Sequence, residues 1–264
     1  MIRIWHAVLS LALLVACVNL EDPAPSQQSQ LVVHAVLDAQ PGDQTVLIYR
    51  ARTGAPSASK NGISHDQPVS GAEVAMTAPN GTTLRAGFRV YPSGACCVPG
   101  EYVFTPGPSG VVLAEGGTYS LHARVPSGEE VSGTTTIPAP TQLTDLPARV
   151  FFRLRDTLRL SWPRVPGARS YELLLRSHRF GDEYRIFTDT TVVIPGTALT
   201  LTGDEILPAG ASVDVMVSAV DANYYDYYRS QSDPFAGAAP SHLTGATGVF
   251  GSLAPILVTE LHVR

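Results

Sequence analysis

The sequence predicts an all-β protein of two β-sandwich domains behind an N-terminal export segment. Three observations carry this. Short apolar runs of strand length recur between turn signals, with no long helical period after residue 30. Glycine (23) and proline (21) are scattered along the chain, as a protein with many turns requires. Pro138, Pro140 and Pro147 crowd into one short stretch and divide the body into two halves, each long enough for a sandwich.

Composition sets the outer limits. The chain has 264 residues, of which 44% are hydrophobic and 16% charged, so packed cores are expected and disorder is not. The formal charge of −5 does not attract a phosphate backbone, so no nucleic-acid partner is expected. Lys60 is the sole lysine among 18 basic residues. Nine of the arginines fall together: Arg149, Arg153, Arg155, Arg159, Arg164, Arg169, Arg176, Arg179 and Arg185. Guanidinium forks suit anionic partners, but outward strand positions account for these residues at less cost.

The first element is residues 1–16. Arg3 is a short positive region, and Ile4 to Ala16 is an apolar run. A spanning helix needs about twenty apolar residues, so this shorter run reads as a signal peptide. It ends in Leu14-Val15-Ala16-Cys17, which resembles the bacterial lipobox. That resemblance implies cleavage before Cys17 and acylation of its sulfur and new N-terminus. One acyl chain holds only marginally, whereas two or three hold almost permanently. Val18 stands where an aspartate would resemble an inner-membrane retention signal, and Glu21 and Asp22 weakly resemble a surface-export signal. Residues 17–30 are polar and rich in Pro, Ser and Gln, so they read as a lipidated tether with a reach of about 45 Å.

Residues 31–140 form the first expected sandwich. Leu31 to Asp38 and Thr45 to Arg50 are strand-like, and Val69 to Thr77 reads as one continuous strand. Asn80-Gly81 then marks a hairpin, the strongest short signal of its kind. Glu101 to Thr105 and Thr118 to Val125 alternate, and Ser127-Gly128 turns into a partner strand, with Glu129 and Glu130 at a solvated tip. Residues 141–148 are the linker. Residues 149–264 form the second sandwich, with strands at Tyr171 to Leu175, Tyr184 to Thr188, Ser212 to Val220 and Pro255 to Val263. Residues 230–246 read as a long loop.

Particular residues resemble known families. Trp162, Tyr171, Leu173, then Leu207-Pro208-Ala209-Gly210 before Val213, Val215, Val217 and Ala219, resemble a fibronectin type III domain. That family's corner tyrosine falls at Val213, so its hydroxyl bond is absent there. Pro68 to Val74, Asn80-Gly81 and Gly117 to Leu121 resemble an immunoglobulin- or transthyretin-like sandwich. The order of the lipobox, PVSGAEV, GTYSLHARVPSGEEVSGTTTIP, Asp233-Pro234-Phe235-Ala236 and Gly248-Val249-Phe250-Gly251 resembles domain-of-unknown-function family four-two-four-nine. Its members look like outer-membrane lipoproteins, often encoded beside TonB-dependent receptors. The resemblance implies no activity.

Chemical motifs are sparse. Beyond Cys17 the chain has adjacent Cys96 and Cys97 in a loop-like stretch. In an exported protein they are free thiols, a vicinal disulfide, or bridges to other molecules, and a loop-locking vicinal disulfide is favoured. The seven histidines are dispersed, with no metalloprotease helix, and His34 and His122 read as strand residues. No nucleophile elbow, phosphate loop or dinucleotide fingerprint is present. No catalytic residue, metal site or cofactor is therefore expected. Tyr224-Tyr225-Asp226-Tyr227-Tyr228-Arg229 is the most unusual run and the candidate binding surface, because exposed tyrosines favour binding and stack on sugars. Its plainer explanation is a strand with tyrosines alternately in the core and on the rim.

The expected function is that of a non-enzymatic lipoprotein of the cell envelope, lipid-anchored at the outer membrane on its periplasmic or surface face. It would bind a partner or assist a TonB-dependent receptor, with a glycan or peptide as alternative ligand. A structural or adhesive surface protein is the second reading, and a glycan- or peptide-hydrolysing enzyme the third, since paired carboxylates assemble in space rather than in sequence.

Overall fold

The computed structural model describes residues 29–52, 67–89, 101–104, 113–139, 149–152, 157–177, 183–195, 212–231 and 240–263. Within them the chain is all-β, with strands gathered into two sandwiches. The strands are β1 (Ser29–Asp38), β2 (Gln44–Arg52), β3 (Gln67–Pro68), β4 (Glu73–Thr77), β5 (Thr83–Arg85), β6 (Gly87–Phe88), β7 (Glu101–Phe104), β8 (Thr118–Arg124) and β9 (Glu130–Thr136). The second half adds β10 (Arg149–Phe152), β11 (Thr157–Ser161), β12 (Ser170–Ser177), β13 (Glu183–Thr188), β14 (Thr191–Pro195) and β15 (Ser212–Val220). The helix α1 (Ala222–Gln231) follows, then β16 (Leu243–Thr244) and β17 (Thr247–Val263).

In the first sandwich, β1, β2, β7 and β6 face a sheet of order β16-β9-β8-β4-β5. Alternation decides which side chains meet between them. On β8, Tyr119, Leu121 and Ala123 point inward and their neighbours outward. They pack with Val33, Ile48, Met76, Phe104 and Val131. Asn80-Gly81 makes the expected hairpin between β4 and β5: Gly81 adopts φ 81°, and its amide donates to Ala78 O at 2.9 Å.

The stretch Val69 to Thr77 is not one strand. It breaks at Gly71, where φ is 75°, because the chain there leaves one sheet for the other. β3 pairs with β2, and β4 pairs with β8. Tyr102 latches the crossing. Its hydroxyl accepts from Ala72 N at 2.9 Å and donates to Val69 O at 2.8 Å.

In the second sandwich, β11 pairs with β14, and the facing sheet runs β13-β12-β15-β17. Counting β10 as the first strand, the second and fifth strands face the third, fourth, sixth and seventh. This is the division of an immunoglobulin- or fibronectin-type sandwich, with B and E opposite C, F and G. Trp162 follows β11 and fills the core with Tyr171, their rings 5.3 Å apart and edge-on. Val213 is fully buried in the same core. A tyrosine hydroxyl still pins a turn here, from another position: Tyr171 Oη accepts Val165 N at 2.6 Å.

β17 is shared by both sandwiches. Residues Thr247 to Leu253 pair in parallel with β1, and Leu253 to His262 pair antiparallel with β15. One sheet of ten strands therefore runs through the molecule. Phe250 and Ala254 lie in the first core, and Ile256 and Leu261 in the second. The change of core falls at Pro255, beside a break in register at Val217/Ser218. A residue with no amide hydrogen is tolerated in a strand where the ladder is already interrupted. Residues 149–264 were expected to close a sheet of their own with a strand beginning at Pro255. The strand begins eight residues earlier, and β16, inside the expected loop 230–246, pairs with β9 of the first sandwich. Pro138 and Ala139, the start of the proline-rich stretch, are held by the second sandwich through Ala139 N to Pro166 O at 2.9 Å. Residues 141–148 lie outside the described residues.

Candidate functional site

The tyrosine run expected as an alternating strand is helical. Asp221 precedes α1 and its Oδ1 accepts the Tyr224 amide at 2.9 Å. This satisfies one of the amides that a helix start leaves bare. Arg229 lies in the last turn, where the helix end is negative. Tyrosine is only a modestly poor helix former, so packing decides. Residues four apart lie on one face of a helix, and Tyr224 and Tyr228 stack with centroids 4.4 Å apart.

That face rests on the outer side of the ten-stranded sheet, away from both cores. On β12, Tyr171, Leu173 and Leu175 point into the core, so Glu172 points out toward α1. His34 on β1 points out for the same reason, between core residues Val33 and Ala35. The approach is close: a Cβ on Gly251 would lie 2.8 Å from Tyr224 N. Asn223 Nδ2 pins the first turn by donating to Thr134 O at 2.7 Å and to Phe250 O at 2.9 Å.

A continuous polar chain runs beneath the helix. Tyr224 Oη donates to Glu172 Oε1 at 2.7 Å, and Arg185 Nε reaches the same oxygen at 3.0 Å. The Arg185 guanidinium stands over the Tyr228 ring, 4.9 Å from its centroid. Tyr228 Oη shares a hydrogen bond of 2.7 Å with His34 Nε2. The chain thus crosses from β12 and β13 of the second sandwich to β1 of the first. On one flank Tyr225 meets Phe187 at 5.1 Å and the guanidiniums of Arg169 and Arg229 at 5.1 and 5.6 Å. On the other, Tyr227 meets the His34 ring at 6.0 Å.

Burial sets the electrostatics. Desolvation pushes the Tyr224 phenol far above its ordinary range, and the Glu172 carboxylate beside it adds to this. Burial likewise raises Tyr228. Burial lowers His34, and the Arg185 charge lowers it further, so the imidazole is neutral near pH 7. The inward polar groups satisfy one another. The rims of Tyr225 and Tyr227, both half-buried, and the exposed Arg229 offer aromatic and guanidinium contacts. Such contacts suit sugars, peptide carboxylates or a protein surface.

Of the expected site residues, the structure brings Tyr224, Tyr225, Tyr227, Tyr228 and Arg229 together on α1. Cys17, Cys96 and Cys97 lie outside the described residues. His34, Glu172, Arg185, Phe187 and Asp221 join the site without having been singled out for it. Asp221 ahead of the run and Arg229 at its end were available cap signals. Arg159, Arg164, Arg169, Arg176 and Arg185 are exposed, as outward strand and turn positions imply, and Arg185 also reaches Glu172 beside the helix. His122 is exposed and lies 3.8 Å from Glu130, and Glu129 at the hairpin tip is tied to Arg50 and Ser127. At the far end of the sheet, Ser212 Oγ lies 3.0 Å from His262 Nδ1, and His262 Nε2 lies 3.2 Å from Glu260 Oε2. The ring is reversed relative to a hydrolase triad, in which serine meets Nε2 and the carboxylate Nδ1.

No curated protein sequence matches the chain. Among solved structures it is similar to a two-domain fibronectin type III segment of chicken tenascin, at 12% identity over 74% of this chain and 93% of that one, with a TM-score of 0.21. It is also similar to a pullulanase from Anoxybacillus sp. LM18-11, at 12% identity over 70% of this chain and 24% of that one, TM-score 0.23. A third is a Ca2+-stabilised adhesin that helps an Antarctic bacterium bind ice, at 12% identity over 90% of this chain and 50% of that one, TM-score 0.19. These likenesses are weak, and the fold is defined by the strand pairings of the chain itself. The family model described as Domain of unknown function (DUF4249) matches residues 19–255, most of the chain. The chain belongs to the DUF4249 family.

Proposed function

We propose that the protein is a lipid-anchored, non-enzymatic component of the cell envelope that holds a partner against α1, as an accessory of TonB-dependent transport at the outer membrane. The observation that carries this reading is the aromatic and guanidinium surface of α1, laid across a sheet common to both sandwiches. The tether runs into β1, and His34, beneath the helix, stands four residues beyond Gln30. At about 3.4 Å per strand residue, the surface sits about 14 Å from the point where the tether enters. The tether was expected to run to residue 30, but Ser29 and Gln30 belong to β1; a tether of residues 18–28 has a reach of about 37 Å, which would let that surface meet a neighbouring membrane protein. The lipobox-like tetrad and the family resemblance support the address and the partner class.

The test is site-specific photo-crosslinking in the native bacterium, with the reactive side chain at Tyr227 or, as a comparison, at the exposed Arg164. A β-barrel receptor captured from Tyr227 and not from Arg164 is the expected result. No capture from Tyr227, together with normal uptake in a deletion strain, would overturn the proposal.

A further inference from the structure

Asp221, Thr135 and Ser252 meet in a buried junction at the start of α1, with exposures of 5%, 3% and 0%. Three oxygen-to-oxygen contacts link them. Thr135 Oγ1 lies 2.5 Å from Asp221 Oδ2 and 3.0 Å from Ser252 Oγ, and Ser252 Oγ lies 2.9 Å from Thr136 O. The other carboxyl oxygen, Oδ1, accepts the amides of Tyr224 at 2.9 Å and Ser252 at 3.1 Å.

Counting hydrogens shows a shortfall. Each hydroxyl has one hydrogen, and an ionised carboxylate has none. Two hydrogens cannot fill three contacts, so one contact would leave lone pairs facing each other in a buried site, which is costly. A proton on Oδ2 completes the chain. Asp221 then donates to Thr135, Thr135 to Ser252, and Ser252 to the Thr136 carbonyl, while Oδ1 keeps both amides.

We propose that Asp221 carries a proton in the folded protein, and that this proton latches the two sandwiches together. Thr135 belongs to β9 of the first sandwich, Asp221 follows β15 of the second, and Ser252 lies on the shared β17. The groups around the carboxyl pull in both directions. Burial raises its titration, while Thr135, the two amides and His242 lower it, with burial prevailing. His242 is itself 3.0 Å from Asp226 of α1. From β12, Glu172 is taken up by Tyr224 and Arg185. β9 and β17 bring hydroxyls and amides there.

The sign of the pH effect follows. A carboxyl that titrates higher folded than unfolded stabilises the fold fully below the unfolded aspartate value. That contribution is lost as pH rises through the folded value.

The experiment uses the full chain with aspartate labelled at its carboxyl carbon, titrated by NMR, and the Asp221 signal identified by its absence from Asp221→Asn. Asp221 is expected to titrate above the ordinary aspartate range. Ser252→Ala removes two of the three contacts and one of the two hydrogens, which leaves the Thr135 hydroxyl to donate to an ionised Asp221, so it should move that titration downward. In urea unfolding between about pH 4 and pH 8, the wild-type midpoint should fall relative to that of Asp221→Asn, whose amide donates to Thr135 as the proton does. An ordinary titration in the wild type, an unmoved one in Ser252→Ala, or an Asp221→Asn protein that fails to fold would each overturn the proposal.

Discussion

Gly248→Ala is expected to destabilise the protein by about 3 kcal/mol or more, among the largest effects a single methyl group has. Gly248 holds φ at 111°, a backbone that side chains rarely adopt, and a Cβ there would lie 2.0 Å from Val33 O. The blocking atom is backbone of β1, in the register that joins β17 to the first sandwich, so no side chain can rotate away. Gly81→Ala is the natural comparison. Its φ is 81°, but nothing lies within 4 Å of the added carbon. That variant should lose only about 1 kcal/mol, from backbone strain. Urea midpoints of the two variants separate the cost of the conformation from the cost of the collision. Equal losses would mean that the close approach of β1 and β17 is not as described.

Tyr224→Ala is expected to cost about 4 kcal/mol, within the range for deleting a buried aromatic side chain. Two losses add. The ring leaves a gap beneath α1, and Glu172, with its side chain 5% exposed, loses the phenol that donates to it. Tyr224→Phe isolates the second loss and should cost about 2 kcal/mol, since a hydrogen bond to a buried charged group has been removed. Arg185 still reaches Glu172 in both variants, which keeps the carboxylate paired. Thermal unfolding ranks the three proteins. A Phe variant as stable as wild type would remove the polar chain from the account of the site.

Much of the fold was legible from local pattern. On β8 every second residue is apolar and buried, so the period-two signal and the structure agree residue by residue. Asn80-Gly81 made its turn because the requirement for a positive φ is local. What escaped depended on distant neighbours. Val69 to Thr77 reads as one strand because nothing near it shows that the chain must change sheets at Gly71, where a hydroxyl some thirty residues away on Tyr102 holds the crossing. Gly248 and Gly251 lie inside β17, although glycine weakens strands. One of these glycines admits the backbone of β1 and the other the first turn of α1.

The site was half legible. Tyrosine's preference for strands pointed the run of residues 224–229 toward β, and the packing of α1 on the sheet, with a cap at Asp221, outweighed it. Alternation along Tyr171 to Leu175 turns Glu172 outward from its core, which for an isolated sheet means toward solvent. A helix arriving from fifty residues later buries it instead, and no local pattern carries that information. His34 was a strand residue in sequence and is one in the structure, but its ring nitrogen meets a tyrosine 194 positions away.

The account of what this protein does depends on its attachment to a membrane, and the direct measurement is of the mature N-terminus. Mass spectrometry of the wild-type protein from the native membrane should find residue 17 as the first residue, carrying acyl chains, with residues 1–16 gone. Cys17→Ser should then leave the membrane fraction or remain uncleaved and without acyl chains. A wild-type protein that keeps residues 1–16, or a serine variant processed and membrane-bound like the wild type, would contradict it.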